Sequence, residues 1–354
     1  MDRTPSFIVQ YFGDYILLDR IAVGGMAEIF RAKQSGARGF EKIVVIKKIL
    51  QHLGDDPEFV SMFEDEAKIA AQLNQANIVQ IYELGEVNEN LYIVMEYVEG
   101  KNLRDVIRAL STKNLQLSIP QTVFIVSEIL KGLDYAHRKT DSQGRALEIV
   151  HRDMSPQNVI VSYEGEVKIL DFGIAKASSK LSKTEVGVLK GKFSYMSPEQ
   201  ASGRLISQST DLYAVGVMLH EMLTGQRLFR ADTDMETLER VRQAIVPKPS
   251  EKNASIPQEL DQIVLKALQR DESKRFVNAG EFLGALTEFS FNHKMSYNSQ
   301  GMASFLKTLF ASNIEKERQA LQRSLKEKPL EDQSVAKNIK THIAFKSPQL
   351  QSSE

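Results

Sequence analysis

The stretch I149-V-H-R-D-M-S-P-Q-N-V-I160 places His151, Arg152, Asp153 and Asn158 between two apolar pairs, Ile149-Val150 and Val159-Ile160. β-Branched pairs favour burial in strands, whereas a charge or an amide taken out of water must find partners. The spacing therefore predicts a loop pinned at both ends by buried strands, with the Asp153 carboxylate and the Asn158 amide facing one cavity. Downstream, Asp171-Phe172-Gly173 closes the strand-like run Val167–Leu170, and the glycine allows a sharp turn that brings a second carboxylate to a strand end. Carboxylate and amide oxygens are the hard ligands that Mg²⁺ takes when phosphates of a substrate complete its shell.

Upstream, the chain reads as a small β-rich lobe. The runs Tyr15–Leu18, Glu28–Ala32, Ile43–Ile49, Ile78–Leu84 and Leu91–Tyr97 predict an antiparallel sheet. Among them, Asp56-Pro57 signals a helix start, followed by Phe59, Phe63, Ala67, Ala70, Ala71 and Leu73 at helical spacing. Val44-Val45-Ile46-Lys47 puts Lys47 on one strand face, and Glu66 on that helix is the acidic residue placed to hold it. A fixed Lys–Glu pair presents an ammonium to nucleotide phosphates. In A22-V-G-G-M-A-E-I29, Gly24 and Gly25 occupy the turn between two strands, where backbone N–H groups approach a phosphate closely. After Val98-Glu99-Gly100 helical patterns dominate, over Leu103–Leu110, Pro120–Arg138, Asp211–Thr224, Met235–Ala244, Pro257–Leu268 and Ala279–Phe289. The fold class is α+β.

Past residue 290, Met302, Phe305, Leu306, Leu309, Phe310 and Ile314 trace an apolar stripe that predicts one helix running into the charged E315-K-E-R-Q-A-L-Q-R-S-L-K-E-K328. This stripe is expected to pack on the helical lobe; the alternative is a docking helix over 302–325 for a partner or a second copy. From Pro329 polar residues take over without periodicity, and disorder is expected over 329–354. Composition narrows function by exclusion. Lys+Arg 45 against Asp+Glu 46 leaves no basic surplus for nucleic acid or an anionic membrane, and the absence of cysteine excludes disulfides and thiol catalysis. With no apolar run long enough to span a bilayer and no cleavable apolar leader, a soluble, cytoplasmic protein is expected.

Taken in order, A22-V-G-G-M-A-E-I29, V44-V-I-K47, Glu66, M95-E-Y-V98, H151-R-D-M-S-P-Q-N158, D171-F-G173, S197-P-E199, D211-L-Y-A-V-G-V217 and K274-R-F276 resemble the eukaryotic-type serine/threonine protein kinases, especially the bacterial branch, over roughly residues 15–290. The resemblance implies a two-lobed kinase fold. A small antiparallel β lobe (15–98) with one main helix would precede a larger, mainly helical lobe (99–290), flanked by a lead-in (1–14), a helical extension (291–328) and the tail (329–354). It implies ATP and Mg²⁺, with Mn²⁺ as a substitute, and protein Ser/Thr hydroxyls as acceptors. Lys47 is implied to hold the α- and β-phosphates and to pair with Glu66, Asn158 and Asp171 to bind the metal, and Asp153 to accept the proton of the substrate hydroxyl. Ile21, Ile29, Val45 and Ile160 are implied to enclose adenine. Met95 would stand behind it, with the backbone of Glu96 and Val98 along its edge and the Gly24-Gly25 turn over the phosphates. His151 and Phe172 are implied to pack the loops, Glu199 to pair with Arg275, and Asp211 to hydrogen-bond the catalytic-loop backbone.

The chain departs from the family in four places. Of three family glycines only the middle one stays, in Ala22, Gly24 and Ala27, which implies weaker nucleotide binding. Ser155 stands where the family usually has lysine and Lys192 where it usually has threonine; Lys192 is expected to restore the missing charge, the alternative being that it faces solvent or the peptide. The stretch K139-T-D-S-Q-G-R-A-L-E148 is longer than the family needs and reads as an exposed turn. Arg152 is implied to receive an activation-segment phosphate. Among Ser178, Ser179, Ser182 and Thr184, Thr184 is the first choice for autophosphorylation and Ser182 the second. From another class, a pseudokinase scaffold would bind nucleotide and partners without transfer, and only the altered glycines and Ser155 support it.

Overall fold

The computed structural model describes residues 7–172, 193–330 and 339–344, and the chain divides into two compact units. Unit 1 comprises Met1–Asn74, Val79–Val98 and Ala311–Glu354, and unit 2 comprises Gln75–Ile78 and Glu99–Phe310.

Unit 1 is organised by one antiparallel sheet. Its strands are β1 (Gln10–Phe12), β2 (Tyr15–Val23), β3 (Ala27–Ser35), β4 (Glu41–Ile49), β5 (Ile81–Val87), β6 (Asn90–Glu96) and β10 (Ile339–Ala344), in the spatial order β1-β2-β3-β4-β6-β5-β10. Strand alternation separates two faces: the opposed pairs Phe30↔Ile46 and Ala32↔Val44 point one way, Ile29↔Lys47 and Arg31↔Val45 the other. The first face is a buried core that also takes in Phe12, Tyr15, Leu17, Tyr92 and Val94. The N-terminal lead-in supplies part of its cover, with the Phe7 ring 5.6 Å from that of Phe30 and the Phe12 ring 5.1 Å from that of Tyr92. After the short α1 (Gln51–Gly54), α2 (Pro57–Ala70) begins as its sequence dictates: Asp56 accepts the Glu58 N–H at 2.9 Å and Pro57 takes the first turn. Its buried stripe is Phe63, Glu66, Ala67 and Ala70, three apolar residues and one carboxylate.

Unit 2 is mainly helical. In chain order it holds β7 (Gly100–Asn102), α3 (Leu103–Thr112), α4 (Ile119–His137), β8 (Val159–Ser162), β9 (Val167–Ile169), α5 (Pro198–Ala201), α6 (Ser209–Thr224), α7 (Asp234–Gln243), α8 (Pro249–Lys252), α9 (Gln258–Ala267), α10 (Ala279–Asn292) and α11 (Ser299–Leu309). Helix α6 is buried from Thr210 through Thr224 and forms the centre of the unit. A three-stranded sheet, β7-β8-β9, carries the site loops at its ends.

Three sequence expectations need correction. The run Ile78–Leu84 does not form one strand: β5 starts at Ile81, and Ile78 makes an isolated parallel bridge with Ile169 inside unit 2. The single helix expected over the 302–328 stripe is two. Met302, Ala303, Leu306, Leu309 and Phe310 are buried in unit 2, whereas α12 (Ala311–Lys326) lies along β2 in unit 1 with no fully buried residue. The stripe runs on past the break because its two halves answer to different bodies. Finally, the tail contributes β10, paired antiparallel to β5 from Ile339↔Val87 to Ala344↔Glu83. The sequence I339-K-T-H-I-A344 alternates β-formers with polar residues, and an edge strand offers unpaired backbone groups to such a segment.

Gly165, in the turn between β8 and β9, has φ +84°, and a Cβ there would lie 1.8 Å from the Ser299 carbonyl oxygen at the start of α11. Gly165→Ala is therefore expected to destabilise unit 2 by at least ~1–3 kcal/mol, the scale of a strained left-handed residue. Urea titration should show a lowered midpoint; an unchanged midpoint would mean that α11 is not seated against this turn.

Candidate active site

In unit 1, strand β4 and helix α2 each deliver one side chain to a buried ion pair. Lys47 Nζ stands 2.8 Å from Glu66 Oε1, with the two side chains only 6% and 5% exposed. Burial demands this partnership, because either charge alone would face a large desolvation cost. Ile29, opposite Lys47, and Val45, two residues earlier, share its face, and Met95 lies opposite Val45. Val45 and Met95 are buried, whereas Ile21 is 49% exposed on β2. In the turn between β2 and β3, the Gly24 N–H donates to the Ala27 carbonyl at 2.8 Å, so this donor closes the turn. The Glu96 N–H donates to the Gln80 carbonyl at 2.9 Å, and Val98 ends this part of the unit. Ile160, the remaining residue of the expected adenine set, sits half-buried on β8 of unit 2.

Lys47→Met is expected to lower phosphoryl-transfer turnover by about 10²–10³-fold, the usual effect of removing one preorganised charge donor. It should also lower stability, since the buried Glu66 carboxylate loses the ammonium 2.8 Å away. Adding Glu66→Gln should recover melting temperature but not turnover; recovery of both would show the pair to be structural only.

The loop of unit 2 is pinned by a strand at its Val159-Ile160 end, in β8, but not at its Ile149-Val150 end, where the implied Asp211 bonds do the holding. Ile149-Val150 belongs to no sheet; the anchor is Asp211 on α6, 1% exposed. Its Oδ2 accepts the His151 N–H at 2.8 Å and lies 2.9 Å from His137 Nε2, while its Oδ1 accepts the Arg152 N–H at 2.9 Å. His151 is fully buried, its Nε2 2.7 Å from the Leu170 carbonyl and its ring 4.8 Å from that of Phe172. A carbonyl only accepts, so Nε2 carries the proton and Nδ1 accepts the Asp153 N–H at 3.3 Å.

Asn158 completes the loop. Its Nδ2 donates to the Asp153 carbonyl at 2.7 Å and to the Asp153 carboxylate at 3.1 Å, and its own carbonyl accepts the Leu170 N–H at 2.9 Å. The last bond ties the loop of Asn158 to the strand end that presents Asp171, which sits at φ 53°. With its NH₂ turned toward Asp153, the Asn158 side chain keeps its oxygen for another ligand. The amide oxygen of Asn158 and the carboxylate of Asp171 are ligand types that suit Mg²⁺ completed by phosphate oxygens. Ser155 is buried, and its carbonyl accepts the Asn158 N–H at 3.0 Å.

Below the loop, Glu199 on α5 is paired with Arg275 through two 2.8 Å bonds. Sequence reasoning missed two contributors: His137, which supports Asp211, and Gln200, whose Nε2 donates to the Arg152 carbonyl at 2.9 Å. The S197-P-E-Q200 pattern of a capping box was a visible signal for the second. Lys192, Gly173, Ser178, Ser179, Ser182 and Thr184 lie outside the described residues.

A β-sheet unit with a buried Lys–Glu pair, and a helical unit whose central helix anchors an Asp/Asn loop beside a second Asp, together define the protein kinase fold. The chain belongs to the protein kinase domain family, whose model matches residues 15–284. It is 42% identical over 303 residues to the tyrosine-protein kinase MasK of Myxococcus xanthus, covering 86% of this chain and 47% of that protein. It is 36% identical over 267 residues to the serine/threonine-protein kinase PrkC of Bacillus subtilis, covering 75% of this chain and 39% of that protein. The chain thus spans less than half the length of these relatives. Among solved structures, the kinase domain of Mycobacterium tuberculosis PknI is similar in fold, with a TM-score of 0.60 and 23% identity over 80% of this chain and 99% of that one. Among the described residues, no helix is long and apolar enough to cross a membrane.

Proposed function

We propose that this chain is a bacterial protein kinase that transfers the γ-phosphate of ATP to Ser/Thr hydroxyls of proteins, its own activation segment included, in cytoplasmic signalling. The observation that carries the reading is the Asp153–Asn158 pair, held against Asp171 by the Leu170–Asn158 bond and against α6 by Asp211. In this reading Lys47, fixed by Glu66, binds the α- and β-phosphates. Asn158 and Asp171 hold the Mg²⁺ ion, which when bound neutralises charge on the transferring phosphoryl group. Asp153, oriented by the Asn158 amide, accepts the proton of the attacking hydroxyl. The Ile29, Val45 and Met95 face supplies an apolar seat for a flat base.

A second reading concerns the acceptor. The relative at 42% identity is a tyrosine-protein kinase, and Ser155 stands where serine/threonine members usually carry lysine. One experiment tests both: labelled ATP with Mg²⁺, the full chain, a generic basic protein and Asp153→Asn as control, followed by phosphoamino-acid analysis. Phosphoserine and phosphothreonine absent from the control support the proposal. Phosphotyrosine alone would move the acceptor to tyrosine, and ATP binding without transfer would favour a pseudokinase scaffold.

A further inference from the structure

Arg152 immediately precedes Asp153 and sits at φ 68°, a left-handed conformation that costs a non-glycine residue about 1–3 kcal/mol. Such a residue persists only where its surroundings over-determine it. On the N–H side Asp211 Oδ1 accepts at 2.9 Å, and on the carbonyl side Gln200 Nε2 donates at 2.9 Å. The same Gln200 side chain accepts the Ser197 N–H at 3.0 Å through Oε1, while Ser197 Oγ accepts the Gln200 N–H at 3.3 Å. The two partners fix the amide orientation, since flipping it would set oxygen against the Arg152 carbonyl and NH₂ against the Ser197 N–H. Gln200 therefore does two separable things: it caps α5 and it clamps the peptide linking Arg152 to Asp153.

We infer that Gln200 is a positioning residue for Asp153, holding the carbonyl of the left-handed Arg152 while Asp211 holds its N–H. The inference rests on the reading of Asp153 as the proton acceptor. It also gives α5, which follows the activation segment in sequence, a direct hydrogen bond to the catalytic loop. The Arg152–Asp153 peptide is held on its N–H side by His151 Nδ1 at 3.3 Å and on its carbonyl side by Gln200 Nε2 at 2.9 Å, while Asp211 holds the preceding His151–Arg152 peptide. Misplacement of a reacting group by about 1 Å can reduce turnover by about 10²-fold.

The test uses the full chain with Gln200→Glu, Gln200→Ala and Asp153→Asn. Gln200→Glu keeps an oxygen for the Ser197 N–H, so the capping box survives, but it replaces the donor to the Arg152 carbonyl by a second oxygen. The expected result is a kcat at least about 10-fold lower with KM for ATP unchanged, because the loss is one of geometry at the acceptor, alongside a modest fall in melting temperature from the lost bond. Hydrogen exchange over residues 150–158 should quicken in the same variant. Gln200→Ala should show the same kcat loss plus a larger fall in melting temperature. If Gln200→Glu matches the wild type in kcat, or leaves exchange over the loop unchanged, Gln200 is only a cap and the inference is overturned. A wild-type chain with no transfer would count against the proton-acceptor reading, and loop exchange would then decide the clamp by itself.

Discussion

Asp153→Asn is expected to lower phosphoryl transfer by about 10²–10⁴-fold, the range that one positioned acid or base contributes. Asparagine has the size of aspartate and keeps an oxygen to accept the Asn158 Nδ2–H, so the 3.1 Å contact that orients residue 153 has a replacement. It cannot take up a proton from a hydroxyl. Its backbone N–H still meets His151 Nδ1, and its carbonyl still accepts from Asn158. Melting temperature and ATP affinity should accordingly match the wild type, isolating the chemical step. Turnover within about tenfold of wild type would remove Asp153 from this role.

Arg275→Ala should show the largest loss of stability. Both side chains of the Glu199–Arg275 pair are 0% exposed. The guanidinium also donates to the Gln269 carbonyl at 2.7 Å and lies 4.7 Å over the Tyr213 ring. Removing it strands a carboxylate in the interior, at about 3–5 kcal/mol. Burial pushes the Glu199 carboxyl up, but the bonds and charge of Arg275, with help from Ser197, outweigh burial and hold it below the usual carboxylate range. A depressed carboxyl stabilises the folded state above the unfolded-chain value of about 4.3 and loses that contribution as pH falls through the folded-state value. Denaturant titration at pH 7 should thus show a large drop for Arg275→Ala, and the gap from wild type should narrow in acid. A drop below about 1 kcal/mol would mean that water reaches Glu199.

The elements legible in the sequence were those whose pattern and partner lie close together. Asp56-Pro57 announced α2, and the alternation along Val44–Lys47 put Lys47 on its face, because capping and strand period are local properties. Order and spacing marked Asp153, Asn158 and Asp171 as candidates for one site. The break at Phe310 was not legible: F310-A-S-N-I314 carries no glycine or proline, and the apolar stripe continues across it. Whether one helix or two forms there depends on which body each half packs against. Local pattern alone misread the start of the loop, since Ile149-Val150 reads as a strand, whereas the bonds that fix His151 and Arg152 come from Asp211, about 60 positions away, a partner that only the family resemblance implied. Gln200 shows both sides: its cap is written in four adjacent residues, but its bond to Arg152 spans 48 positions.

Unit 1 is not a continuous segment of chain, and this has a consequence for its biosynthesis. Strand β5 leaves the ribosome with residue 87, and its outer neighbour β10 with residue 344. At typical elongation rates of about 5–20 residues per second, the intervening stretch takes on the order of ten to fifty seconds to make. Throughout that interval the β5 edge of the nascent sheet stands unpaired, the kind of edge that recruits strands from other chains. All of unit 2 is synthesised before this edge can be closed from within.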